Sequence, residues 1–234
     1  MKKLNVDVWS DIACPWCYVG KRRLEAALAR FPHRDDVTVE WHAFELDPAA
    51  PAMRDDSQSY AARLAKKYGS SVARAEEMIT TMTETAAADG LDFHFERVRA
   101  GNTFDAHRLL HLAHERGVQD ALKERLLRAY MTEGEPIGDR DALVRLAAEA
   151  GLDAEEAHTV LATDAFANEV RADEQQARSL GINGVPFFVI GGYGVSGAQP
   201  AEGLLRVLTR AWDEAAEEAA PFAEGAVCGP DGCT

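Results

Sequence analysis

Residues 10–31 read SDIACPWCYVGKRRLEAALARF. Leu24, Leu28 and Phe31 recur at helical spacing, which predicts a helix over 14–31 with both cysteines in its first turn. Upstream, LNVDVW (4–9) alternates apolar with polar residues, the period of a half-buried strand. Downstream, VTVEWHAF (37–44) alternates again. The chain therefore opens as strand, helix, strand. Cys14-Pro15-Trp16-Cys17 stands at the first strand-to-helix junction.

That position has chemical consequences. C-x-x-C spacing puts both sulfurs within one helical turn, close enough for a disulfide. The unpaired N–H groups and the dipole at a helix N-terminus favour an anion. They are expected to stabilise the Cys14 thiolate, the nucleophile of disulfide exchange. Pro15 suits the first helical position, where its missing N–H would be unused. Cys17, one turn in, is expected to be less exposed and to act as the resolving thiol. The competing reading is a zinc half-site, which needs two further ligands at suitable spacing. No histidine adjoins the motif, and the other two cysteines are more than 200 positions away.

From about Ser57 to Leu180 the chain is rich in Ala, Leu, Arg and Glu, in segments that begin with capping residues and often end in Gly. This is a helical block. Strand signals return in VPFFVIGGYGVSG (185–197), a hairpin signature, and PAEGLLRVLTRAWDEAAEEAA (200–220) reads as a last amphipathic helix. Residues 1–55 and 181–220 are thus expected to form one mixed α/β domain, with 56–180 as a helical insertion that caps it. Residues 221–234 are left as an acidic tail. Val185-Pro186, at the entry to a strand, has the form of a cis-proline turn. An ordinary trans proline at a strand's first residue is the commoner case for an isolated Pro. A cis Pro186 would turn the Val185 backbone towards the cysteines, where it could pair with an extended substrate peptide.

The totals narrow the function. The chain has 234 residues, 47% of them hydrophobic, enough to bury a sizeable core. Asp and Glu outnumber Lys and Arg by 39 to 25, a net charge of −14, which argues against nucleic-acid and anionic-membrane partners. Asn5 and Asp7 interrupt the apolar run that a signal peptide would need. No stretch approaches the ~20 apolar residues of a membrane span. The chain reads as cytoplasmic, a compartment that keeps thiols reduced, so catalysis or metal binding is the better expectation for its cysteines than stapling.

Together CPWCYVGKRRLE, FELDP, NTFDAHRL and GVPFFVI resemble the DsbA-like thioredoxin superfamily, specifically its cytoplasmic FrnE-type branch. The resemblance covers nearly the whole chain. It implies a thioredoxin fold interrupted by a large α-helical insertion, and thiol–disulfide oxidoreductase or isomerase activity. Cys14 matches the family's nucleophile, Cys17 its resolving cysteine and Pro186 its cis-proline. The implied partners are protein thiols and disulfides and a cellular thiol reductant or oxidant. No cofactor is implied beyond the redox-active disulfide, with glutathione as a candidate co-substrate, and the sequence allows a homodimer. Two departures stand out. Trp16 replaces the histidine of periplasmic DsbA, so a less oxidising pair is expected. The position where thioredoxins and DsbA bury an acid is Val8, and Asp7 beside it should face the other way. His42 and Glu45 are then candidates for moving the Cys17 proton. Kappa-class glutathione transferases and 2-hydroxychromene-2-carboxylate isomerases look similar in fold but use a serine-type residue where Cys14 stands. A non-catalytic chaperone or metal-binding protein is the rival from a different class.

Other residues carry weaker signals. His107, His111 and His114 share one helix face, a pattern that can bind metal but lacks the usual companion ligands. His107 belongs to NTFDAHRL, which the resemblance places near the active site; Asn102 or Thr103 should cap that helix. Trp16 should be exposed beside the sulfur. Lys21, Arg22 and Arg23 read as a solvated face. Gln199 either lines the substrate groove or closes a turn. In CGPDGC, Gly-Pro-Asp-Gly is a turn that would fold Cys228 onto Cys233, a second candidate redox pair.

Overall fold

The computed structural model describes residues 3–54 and 58–218. β1 (Leu4–Ser10) lies parallel to β2 (Val37–Ala43), in register from Leu4 opposite Val37 to Ser10 opposite Ala43. The connection between them is α1 (Pro15–Arg30). α1 stops because Phe31 is extended (φ −83°, ψ 124°) ahead of Pro32, and a residue before proline is steered away from helical backbone. β3 (Phe187–Ile190) pairs antiparallel with the other side of β1 and with β4 (Tyr193–Ser196), giving the order β2-β1-β3-β4. The strands, α1 and a thioredoxin-like arrangement thus appear as the sequence predicts.

The even positions of β1 face α1. Leu4, Val6 and Val8 pack with Leu24 and Ala27 of α1 and with Leu204, Leu208 and Ala211 of α9 (Ala201–Glu218). Fully burying each of these Leu and Val side chains contributes about 1.5–3 kcal/mol. The odd positions face the other way, towards α8 (Ala167–Ser179): Trp9 Nε1 donates to the Asp173 carbonyl at 3.1 Å.

Between the sheet halves run α2 (Tyr60–Tyr68), α3 (Val72–Ala88), α4 (Phe104–Glu115), α5 (Gln119–Arg128), α6 (Arg140–Glu149) and α7 (Ala154–Ala162), followed by α8. A π-helical turn, Ala129–Glu133, ends α5. Ser59, Ser71, Asp139 and Asp153 cap their helices through side-chain oxygens. α7 was not singled out in the sequence; its Asp153 cap is the signal that marks it. Thr103 stands at the N-cap of α4 without a side-chain bond, and Asn102 Oδ1 accepts from the Phe104 N–H at 2.8 Å.

The helices share a second core, built on Leu109, Leu122, Leu126, Leu143 and Leu146. Ile12, Tyr18 and Val19 join this core rather than the sheet's. α1 therefore puts its first turns into one core and its later turns into the other.

α5 clamps the two together. Residues 119, 120, 123 and 124 share a face. Gln119 accepts from the Trp41 N–H (3.0 Å) and donates to the Trp41 carbonyl (2.8 Å), so its amide covers part of the open edge of β2. Asp120 accepts from Trp41 Nε1 at 3.0 Å. This docking overturns the expectation that Lys21–Arg23 form a solvated face. Lys21 is 2% exposed, with its Nζ on Glu25, on Asp120 (3.1 Å) and on Glu124 (3.3 Å). Arg22 pairs with Glu25 and Glu124, and Arg23 with Asp89 and the Ala198 carbonyl.

Candidate active site

β1 delivers the chain to α1 through Asp11, Ile12 and Ala13, and Cys14 becomes the N-cap with extended backbone. Pro15 occupies the first turn as expected. Both cysteines are free thiols; Cys14 is 4% exposed and Cys17 fully buried. The Val185–Pro186 peptide is cis, and the Cys14 thiol donates to the Val185 carbonyl at 3.5 Å. Pro186 also packs on α1. A Cβ on Gly20 would come within 2.9 Å of Pro186 Cγ, so only glycine admits the approach.

The electrostatics differ from expectation. The neighbouring Cys17 sulfur, and then burial, push the Cys14 thiol up rather than down. For Cys17, burial acts upward, but the Cys14 thiol, the Lys123 charge and the Ser10 hydroxyl outweigh it and hold Cys17 down. The two thiols thus act on each other's charge, and the Cys14 thiol donates to the Val185 carbonyl.

Cys14 opens on a cavity of about 1120 Å³ between α1, α2 and α3. Trp16, Val185, Tyr60, Met78, Phe95 and Tyr130 give it an apolar lining. Burial keeps the Tyr60 and Tyr130 phenols protonated, Tyr60 being pushed up to about 12. Arg63, Lys66 and Lys67 add cations to its wall, unlike the acidic chain as a whole. Trp16, 44% exposed, stands at the rim as expected.

The remaining predicted site residues distribute differently. His42 lies on the sheet face away from α1, stacked on Trp9 at 4.5 Å, with Nδ1 on Asp173 (2.9 Å) and Nε2 on Asp7 (3.1 Å). Glu45 is held by Arg171 (2.6 Å) and Asn102 (3.1 Å). Neither lines the cavity nor contacts Cys17, which corrects the expectation for both: strand alternation carries His42 to the wrong face, and α8 captures Glu45. Gln199 closes its turn, donating to the Ser196 carbonyl, and does not line the cavity. His107 is buried with Nε2 3.4 Å from Asp11 Oδ1. Asp11, which does line the cavity, is pushed up by burial, yet His107 and the Leu46 N–H bring it below the ordinary range.

The three histidines of α4 do not converge. His107 faces Asp11, His111 faces Asp173 and His114 faces Glu40. Among the described residues, Asp7, Glu40 and His42 are the one group of three whose ligand atoms all lie within 4.8 Å of one another, and both His42 nitrogens are already on carboxylates. Cys228 and Cys233 lie outside the described residues.

Sequence reading missed two groups that act on Cys17. Ser10 ends β1 on the face that carries Val8, and its Oγ is buried with no hydrogen-bond partner among the described residues. Lys123 is fully buried and donates to the Ser10 carbonyl at 3.3 Å. The signal for it was present: Lys123 has Leu122 before it and Leu126 and Leu127 three and four residues later, inside an apolar stripe.

A thiol pair at a helix N-terminus, faced by a cis-proline, on a thioredoxin-like sheet with a helical insertion, describes a class of thiol–disulfide oxidoreductases. The DsbA-like thioredoxin domain matches residues 5–209, and the chain belongs to that family. It is 30% identical over 197 residues to the uncharacterized protein YwbO of Bacillus subtilis, covering 83% of this chain and 90% of that one. A probable DsbA oxidoreductase from Streptomyces coelicolor is 49% identical and superposes with a TM-score of 0.85 over 99% of this chain and 98% of its own. The cytosolic disulfide reductase DsbM of Pseudomonas aeruginosa, 19% identical, shares the fold with a TM-score of 0.58 over 92% of this chain and all of its own. Among the described residues no helix is long and apolar enough to cross a membrane.

Proposed function

We propose that this chain is a cytoplasmic, FrnE-type dithiol–disulfide oxidoreductase acting on protein disulfides. The observation that carries the reading is Cys14 on the N-cap of α1, hydrogen-bonded to the Val185 carbonyl and opening on the large cavity. Cys14 as thiolate attacks one sulfur of a substrate disulfide. The substrate S–S bond breaks, one substrate thiolate leaves, and a mixed disulfide forms. Cys17 then attacks Cys14 Sγ, releases the second substrate thiolate and leaves the Cys14–Cys17 disulfide. The substrate gains the two electrons that the enzyme loses. Held oxidised, the enzyme runs in reverse; if the mixed disulfide outlives substrate rearrangement, it isomerises. An extended substrate backbone would pair beside Val185, as strand addition requires.

In this reading residues 1–55 and 181–220 carry the thiol chemistry and 56–180 form its helical cover. A protein substrate suits the size of the cavity better than glutathione alone, and glutathione is the alternative co-substrate. Cys228 and Cys233 are proposed as a second pair that exchanges with the first.

Insulin reduction and refolding of scrambled ribonuclease test the assignment. Cys14→Ser should lower both by more than 100-fold, and Cys17→Ser should accumulate a mixed disulfide visible by mass spectrometry. Retention of both activities in Cys14→Ser would end the reading. Glutathione-dependent isomerisation surviving that change would favour the isomerase alternative. Unchanged exchange in Cys228→Ser/Cys233→Ser would remove the second pair.

A further inference from the structure

We propose that Lys123, supplied by the helical insertion, takes the proton of Cys17 when that thiol resolves the mixed disulfide; the proposal rests on the oxidoreductase reading above. Cys17 is fully buried, so its proton cannot pass directly to bulk water. The family's buried acid is absent, since Val8 holds that place. His42 and Glu45 are engaged elsewhere. Lys123 fills the vacancy from another element: its Nζ lies on the Ser10 carbonyl, and Ser10 is the next residue after Val8 on the face of β1 that meets α1.

The surroundings of Lys123 suit a base. Among the described residues no carboxylate lies within salt-bridge distance of it, and the Trp41 ring centroid is 5.5 Å from Nζ. Among the titratable and charged groups around it, Cys17, Asp11 and Cys14 favour its charged form and Lys21 opposes it. Burial lowers Lys123 to about 8, within reach of a thiol. Asp11 is the rival acceptor, but His107 and the Leu46 N–H stabilise its carboxylate and make it a poor base. The buried Ser10 hydroxyl has no hydrogen-bond partner among the described residues, so it is free to turn to the Cys17 sulfur during transfer.

The step balances. In the mixed disulfide Cys17 is a thiol, and Lys123, which titrates at about 8, reacts from its neutral amine form. The amine accepts the S–H proton and becomes an ammonium. The Cys17 thiolate attacks Cys14 Sγ, the bond between Cys14 and the substrate sulfur breaks, and the substrate leaves as a thiolate that solvent protonates. The ammonium keeps that proton and returns it to Cys17 when the Cys14–Cys17 disulfide is next opened by a reducing thiol. In the oxidising direction the ammonium gives the proton back to Cys17 as that sulfur departs.

The two halves of the cycle can be read separately with 5,5′-dithiobis(2-nitrobenzoate), using the full-length Cys228→Ser/Cys233→Ser chain so that only Cys14 and Cys17 respond. Attack by Cys14 releases one thionitrobenzoate; resolution by Cys17 releases a second. Lys123→Met should slow the second phase at least 10-fold more than it slows the first at pH 7.5, with the second-phase pH profile displaced to higher pH. Lys123→Arg keeps a cation but cannot accept a proton, and should slow the second phase comparably. A wild-type second phase in Lys123→Met overturns the proposal. A wild-type second phase in Lys123→Arg also overturns it, because charge alone would then suffice. If even the parent chain shows no first phase, it is the oxidoreductase reading that fails. A readout independent of substitution is carbon-13 titration of the lysine Cε resonances: one lysine should titrate at different pH in the dithiol and disulfide forms, and identical titration of every lysine would overturn the proposal.

Discussion

Lys21 and Lys123 are both almost stripped of solvent, and both ammonium groups look onto the Trp41 ring, at 5.9 and 5.5 Å from its centroid. Lys21 is ringed by Glu25, Asp120 and Glu124; Lys123 has a backbone carbonyl. Burial acts to lower both, but the carboxylates reverse the sign at Lys21, which is raised, while Lys123 falls to about 8. The difference shows that burial alone does not decide what a lysine does. With counter-ions it becomes a permanent cation that ties α5 to α1. Without them it becomes a group that can change charge near neutral pH.

The contrast is most directly broken at the ring of carboxylates. Glu124→Lys sets a cation against Lys21 and Arg22, and should destabilise the fold by about 3–5 kcal/mol in urea titrations. Lys123→Met should act in the opposite direction, stabilising by about 2–3 kcal/mol at pH 7 while slowing resolution, because an unpaired buried charge is replaced by an apolar side chain. That gain has a pH signature. Between about 8 in the folded chain and about 10.4 in the unfolded one, only the unfolded chain keeps the Lys123 proton. Wild-type stability should therefore rise across this window relative to Lys123→Met, by up to about 3 kcal/mol. Lys21, raised when folded, should show the reverse, its contribution being lost only as pH climbs through its folded value above 10.5. Lys21→Met should cost about 1–2 kcal/mol, since its partners keep access to water. The smallest effect is salt: 1 M NaCl should remove less than about 1 kcal/mol from the Lys21 cluster and leave the Lys123 variants unchanged, read as shifts in the urea midpoint.

The same pair marks where the sequence is legible. CPWC, its helix and the Val185-Pro186 turn are local patterns: spacing places two thiols on one turn, and alternation places a strand before them. Lys21–Arg23 and Lys123 cannot be read that way, because their surroundings are set by packing between α1 and α5, about 100 positions apart in the chain. A Lys-Arg-Arg run looks solvated until another helix covers it. His42 failed for a related reason: it lies near the end of the correct strand, but its alternation phase carries it to the face of Asp173. Glu45 reads as a candidate for moving the Cys17 proton until Arg171, 126 positions later, claims it.

The division of α1 between two cores has a consequence for how the protein is made. On the ribosome the N-terminal elements emerge first and the chain grows at roughly 5–20 residues per second. β2 ends at Ala43 and β3 begins at Phe187, so 187 − 43 = 144 positions of translation separate the two neighbours of β1. During that interval the helices that receive Ile12, Tyr18 and Val19 are already available, whereas Val185 and Pro186 are not. The nascent chain can seat the CPWC helix and deliver Lys123 beside it before any residue exists to accept the Cys14 hydrogen bond. For most of its synthesis this protein would carry its thiol pair with the roof unfinished, and the stretch after Gly181 decides when that roof closes.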